Sequence, residues 1–202
     1  LDVLVGEMSR RGLSCKLVAV GSEAGLSSAA RGACDIAPIH LWDPDAGYNT
    51  KLPDSVVLIR GYKRMQGVIF RANDTRFKGL PAAQAVSAAV RSGATMINRN
   101  RGSGTRLLID RLLAGERPAG YSIEASSHTA VAAAVLQGRA DFGVAIDVVT
   151  HGQPLGVLPL TEEHYDFAVP TARRDRPAVR AFAELLVDPA VRQLLRDRGL
   201  RP

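Results

Sequence analysis

Apolar residues recur along this chain with two alternating periods. Residues 1–12, LDVLVGEMSRRG, carry them at helical spacing until Gly12 stops the run. Residues 15–21, CKLVAVG, predict a strand, and residues 22–32, SEAGLSSAARG, a short helix. A strand over ACDIAPIHL enters a polar loop, WDPDAGYNTKLPD, and a strand pair follows, SVVLIR and QGVIFRA. Pro81 suits the first turn of a helix over PAAQAVSAAVRSG, because proline's fixed φ fits that position. Beyond a strand, loop and helix across residues 94–115 come a strand (YSIEA), a helix (HTAVAAAVLQG, closed by Gly138) and a buried strand (ADFGVAI). Two shorter strands, PLGVLPL and HYDFAVP, precede a helix over RPAVRAFAELLVDPAVRQLLRDRG with a break near Asp188 and Pro189. Strands alternating with helices predict parallel sheets of the α/β type, whose ligands gather outside the carboxyl ends of strands.

Residues 94–115, ATMINRNRGSGTRLLIDRLLAG, have the layout of an anion site at such an end. The first amides of a helix starting near Thr105 lack intrahelical acceptors, and the macrodipole makes that end partly positive. Gly102 and Gly104 permit a tight turn or close approach to a ligand, Ser103 and Thr105 add hydroxyls, and Arg99, Arg101 and Arg106 add charge. The plainer alternative is a capped helix after a turn, with its arginines in water. No GxxxxGK[ST] pattern is present. Gly102 and Gly104 do form G-x-G after a strand, with Glu124 about 20 residues later as a dinucleotide fingerprint would have it, but Leu107 occupies the third glycine position. Arginines suit a compact oxyanion better than a pyrophosphate held by backbone.

Composition narrows the function classes. A chain of 202 residues with 46% hydrophobic content can bury a core as one domain or two small lobes. No run approaches the roughly 18 apolar residues of a membrane span. Cys15 and Cys34 have no CxxC spacing, and both read as core thiols. A net charge of +6 permits an anionic partner, yet no recognition-helix pattern appears. Asp175 and Pro177 interrupt the cluster of Arg173, Arg174, Arg176 and Arg180, which reads as a solvated face and not a nucleic-acid site. Asp43 and Asp45 lack the remaining ligands of a calcium loop. Nucleophile-elbow, HExxH and paired-carboxylate patterns are missing, so the reading is non-catalytic and requires no cofactor.

NRNRGSGTRLLIDRLL, SSHTAVAAAVLQGRADFGVAI and LPLTEEHYDFAV, with ACDIAPIHLWD and GYN before them, resemble the periplasmic-binding-protein-like domain found beside molybdopterin-biosynthesis enzymes and molybdate-type transcriptional regulators. The resemblance implies a type II solute-binding fold: two α/β lobes joined by two crossover strands, with the ligand in a cleft between them. Residues 1–65 and 157–202 would form one lobe and 66–156 the other, with crossovers near 60–68 and 156–167. It also implies a first strand and ligand-donating loop before Leu1. By position it nominates His40, Ser103, Gly104, Thr105, His128, Thr129, Ile146 and Asp147 as ligand-binding; the loop chemistry adds Arg99, Gly102 and Arg106. Asn49, with Tyr48, either closes its loop or reaches the ligand.

His128 at a helix start suits a neutral imidazole donating one proton. Asp147 would repel an anion unless it orients a donor, and so reads as a supporting or hinge residue. The implied ligand is a small oxyanion, molybdate or tungstate first, because neutral donors without acceptors select a fully ionised anion. The domain would then belong to a larger regulator or molybdenum-cofactor protein, with a DNA-binding or enzyme domain fused outside this chain. That places it in the cytoplasm, or in the periplasm as a transport protein if a signal peptide precedes Leu1. The alternative is a regulatory module for an organic ligand such as a pterin phosphate, or for a partner enzyme.

Overall fold

The structure, a computed structural model, describes residues 1–43 and 45–202. Among the described residues seven α-helices and eight strands follow in the order α1 (Asp2–Arg10), α2 (Ser22–Ala30), β1 (Ala37–Ile39), β2 (Trp42–Asp43), β3 (Gly47–Tyr48), β4 (Val56–Arg71), α3 (Ala82–Arg91), β5 (Met96–Arg99), α4 (Gly104–Leu113), β6 (Glu124–Ala125), α5 (His128–Leu136), β7 (Phe142–Ile146), β8 (Leu155–Pro170), α6 (Pro177–Val187) and α7 (Pro189–Asp197). The chain divides into two compact units, Leu1–Arg64 with Glu163–Pro202, and Met65–Glu162. It passes between them twice, inside β4 and inside β8. The second passage comes later than residue 157, because Leu158 and Leu160 pack on the core of the second unit.

In the first unit β1 pairs antiparallel with the last part of β8, from Ala37 opposite Ala168 to Ile39 opposite Asp166. Leu4, Phe167, Leu185 and Leu195 are fully buried among α1, α6, α7 and β8. The break foreseen at Asp188 is a cap: its carboxylate accepts from the Ala190 and Val191 amides and starts α7. In the second unit β4 runs antiparallel to β7, whereas β5 runs parallel to β7 and β6. Phe77, Met96, Ile109 and Phe142 fill one face under α3 and α4; Val131, Val135, Ile69 and Ala145 fill the other under α5.

Four expectations are corrected. The sheets are mixed and not parallel throughout, since the long strands run antiparallel to β1 and β7. SVVLIR and QGVIFRA belong to one strand of 16 residues, as do PLGVLPL and HYDFAVP. Gly61 and Gly67 let β8 approach β4 too closely for a side chain between them. Residues 15–21 form no strand: Leu17, Val18 and Val20 are exposed, no described strand pairs with them, and Cys15 is exposed too. The polar loop after β1 holds a hairpin, in which Trp42 faces Tyr48 across β2 and β3.

Candidate functional site

In the second unit, Asn98 and Arg99 of β5 lie beside Glu124 and Ala125 of β6, and Met96 and Ile97 beside Phe142 and Gly143 of β7. All three pairings are parallel, so the carboxyl ends of these strands share one edge. α4 and α5 begin there, together with a short turn over Asp147–Thr150 that leaves β7. Gly102 takes φ 80°, which suits glycine, and turns the chain into α4. Ser103 is the cap: its hydroxyl accepts from the Arg106 amide at 3.2 Å and donates to the Asn100 carbonyl at 2.9 Å. Thr105 is fully buried one residue into the helix, and its Oγ1 has no hydrogen-bond partner. Ser127 caps α5 in the same way, accepting from the Ala130 amide at 3.0 Å.

Arg99, His128 and Ile146 converge at this edge. The Arg99 side chain is buried; its Nε donates to the Ala125 carbonyl at 3.2 Å, and its Nη1 lies 3.1 Å from His128 Nδ1 and 3.3 Å from Nε2. The Ile146 amide donates to His128 Nδ1 at 3.3 Å, which assigns the proton of a neutral ring to Nε2. Asp147 follows directly, its carbonyl held by Thr150 Oγ1 at 2.7 Å, and its Oδ1 is buried without a hydrogen-bond partner. A buried guanidinium, an imidazole N–H, an orphan hydroxyl and two helix starts are all hydrogen-bond donors, the complement of an anion's oxygens.

Other nominated residues do different work. Arg106 is buried, with Nε bonded to both Asp110 oxygens at 3.0 and 3.1 Å and Nη1 to Glu124 Oε1 at 3.0 Å, and its guanidinium lies 4.7 Å from the Tyr121 ring centre. Burial pulls its pKa down, but the bonds to Tyr121 and Asp110 outweigh it and hold the guanidinium above its ordinary value. The same pairing commits Glu124, the residue a dinucleotide would need for its ribose; the largely exposed Arg101 is a further partner at 3.7 Å. Asn49 takes φ 56° in the first unit and is buried. It accepts from the Leu41 amide at 2.7 Å and donates to Asp166 Oδ2 at 2.9 Å, so it closes its loop. Gly104 opens α4, and Thr129 is exposed in the first turn of α5.

His40, also in the first unit, has its Nδ1 3.3 Å from Oε2 of the fully buried Glu163, which is salt-bridged to Arg64. Neither Arg64 nor Glu163 stood out in the sequence, because nothing local links residues so far apart. Asp43 accepts from the Asp45 and Ala46 amides at 3.0 Å and pairs with Lys51, which makes it a turn residue. Lys51 keeps its carboxyl below the ordinary range. Among the described residues no group of three or more His, Cys, Asp and Glu is placed to hold a metal ion.

Residues 5–187 match the PBP superfamily domain, and the chain belongs to that family. It is 31% identical over 163 residues to Uncharacterized protein YvgK of Bacillus subtilis (strain 168), covering 77% of this chain and 52% of the relative. The chain thus spans about half the length of the curated relative it matches. A putative phosphate ABC transporter substrate-binding protein with bound phosphate from Clostridium perfringens superposes with a TM-score of 0.76 at 12% identity, over 99% of this chain and 94% of that one. The tungstate ABC transporter from Geobacter sulfurreducens superposes with a TM-score of 0.65 at 18% identity, over 97% and 90%. At these identities the likeness shows the fold: a type II periplasmic-binding-protein-like domain.

Proposed function

We propose that the chain is a non-catalytic ligand-binding domain that captures a small tetrahedral oxyanion, with the β5, β6 and β7 ends of its second unit supplying the donors. One observation carries this reading: the fully buried Thr105 hydroxyl, without a partner, stands at the start of α4 on the same edge as the Arg99–His128 contact. A buried hydroxyl left unmet costs about 1–3 kcal/mol, and an anion oxygen offsets that cost. The phosphate and tungstate neighbours in fold support the class of ligand. Their chemistry also keeps molybdate and tungstate, the expected ligands, inside it, because these donors accommodate any tetrahedral oxyanion. In this reading the domain is the sensing or capturing part of a larger regulator, molybdenum-cofactor protein or transporter. Calorimetric titration with phosphate, sulfate, molybdate and tungstate tests it; saturable one-to-one binding of at least one is the expected result, and no heat with any of them removes it.

A second reading, an organic ligand such as a pterin phosphate, is favoured by the half-exposed Trp42, whose ring lies 4.9 Å from Tyr48, itself stacked at 5.5 Å on His164. Trp42 is the single tryptophan of the chain, so quenching of its fluorescence by a pterin phosphate would report stacking directly.

A further inference from the structure

We infer that capture at this edge is proton-silent: His128 stays a neutral Nε2–H donor through the pH range in which histidines ordinarily charge, and Ile146 is the residue that positions and fixes it. This rests on the oxyanion reading above. A backbone N–H keeps its proton throughout that range, so a ring nitrogen that accepts from one has to offer a lone pair. The Ile146 amide, at the end of the buried strand β7, donates to His128 Nδ1 at 3.3 Å. Charging the ring would put a proton on that same nitrogen and forfeit the bond.

Two further effects have the same sign. Arg99 is charged at every pH in question, and its Nη1 lies 3.1 Å from Nδ1 and 3.3 Å from Nε2, so an imidazolium would sit against a buried guanidinium. His128 is also the first residue of α5, where the helix dipole disfavours another cation. α5 packs on β5, β6, β7 and the turn over Asp147–Thr150. Of the charged groups these elements bring, Glu124 of β6 is engaged by Arg106 and Arg101, and β7 carries none. Asp147 is the acid left to favour a charged ring, and it would have to offset the guanidinium, the dipole and the lost amide bond together. With the ring's proton fixed, the edge presents one constant charge, and only the ligand's own ionisation changes its affinity. No bond breaks and no proton is transferred.

Calorimetry with inorganic sulfate and phosphate from pH 8 down to pH 5, with the ¹⁵N spectrum of the ligand-free His128 ring, tests the inference. Sulfate does not titrate in that range, so its affinity should stay flat, whereas a site that had to protonate histidine first would lose about tenfold per pH unit above that ionisation. The heat of sulfate binding should also be the same in buffers of different ionisation enthalpy. Should phosphate bind and sulfate not, phosphate affinity corrected for the ligand's second ionisation takes its place. The ring spectrum should be that of the Nε2–H tautomer throughout. His128→Gln keeps a donor that no pH removes and should bind within a few-fold of wild type with the same flat profile, while His128→Ala should lose about tenfold, the worth of one hydrogen bond. A sulfate affinity that climbs as pH falls, or an imidazolium spectrum near pH 6, would overturn the inference and leave the oxyanion site standing. Should a variant not fold, the wild-type profile and the ring spectrum decide alone. Binding of neither anion, with the ring neutral throughout, would remove the oxyanion reading and the inference with it.

Discussion

Arg99 Nη1 lies 3.1 Å from His128 Nδ1, so a cation that ends one strand is held against the first residue of the helix following the next strand. A positive charge near a helix N-terminus is unfavourable by itself and becomes favourable when an anion joins it. Arg99→Met should therefore weaken oxyanion binding by about tenfold to a hundredfold, the range for a charge-assisted hydrogen bond. Calorimetry checks this, and unchanged affinity in a folded variant would separate Arg99 from the ligand.

Thr105→Val removes one hydroxyl and keeps the shape. Because Oγ1 has no partner within the protein, the substitution should leave the melting temperature unchanged or raise it slightly. Oxyanion affinity should fall by a few-fold to about tenfold, the worth of one neutral hydrogen bond. A destabilised variant with intact affinity would give the hydroxyl a structural role instead.

Arg106→Met should have the opposite profile. Asp110, Glu124 and Tyr121 each lose a contact, although Asp110 keeps the Tyr121 hydroxyl and Glu124 keeps Arg101, and both carboxylates are half-exposed enough for water to replace part of the loss. A drop of about 1–3 kcal/mol in unfolding free energy is expected, read from urea denaturation, with phosphate affinity in the folded fraction changed less than in Arg99→Met.

These three residues also mark how far the sequence could be read. Gly102, Ser103 and the start of α4 were legible because a turn, a cap and a helix dipole are local. Arg99 and Arg106 looked alike along the chain; what separates them is which side chains the fold brings to each, Glu124 and Tyr121 to one and His128 to the other. Asn49 looked able to reach a ligand until Asp166, distant in sequence, claimed its amide. Residues 15–21 have the alternation of a strand, but a strand also needs a neighbour to pair with, and Val18 remains 70% exposed.

Acid stability should depend on a second cluster, away from the oxyanion edge. Asp74 is held below its ordinary pKa, chiefly by its side-chain bonds to Arg76. Asp141 is also held low: burial opposes this, but the Thr95 amide and the Arg76 and Arg71 guanidiniums outweigh it. A carboxylate whose folded pKa is depressed contributes stability above its unfolded value and loses it as pH falls through the folded value. Asp74→Asn should therefore be less stable than wild type at neutral pH, and the gap should close below about pH 4, as wild-type Asp74 itself becomes protonated. Urea midpoints measured from pH 7 downward check this; a gap that does not change with pH would contradict it.

The most direct measurement of the central claim is a titration of the ¹⁵N-labelled chain with inorganic phosphate, followed by amide chemical shifts. The account predicts saturable one-to-one changes concentrated at Gly104, Thr105, His128, Ile146 and Asp147, the residues that begin α4 and α5 and leave β7. Changes scattered over the surface arginines, or none at phosphate concentrations that saturate the calorimetric signal, would contradict it.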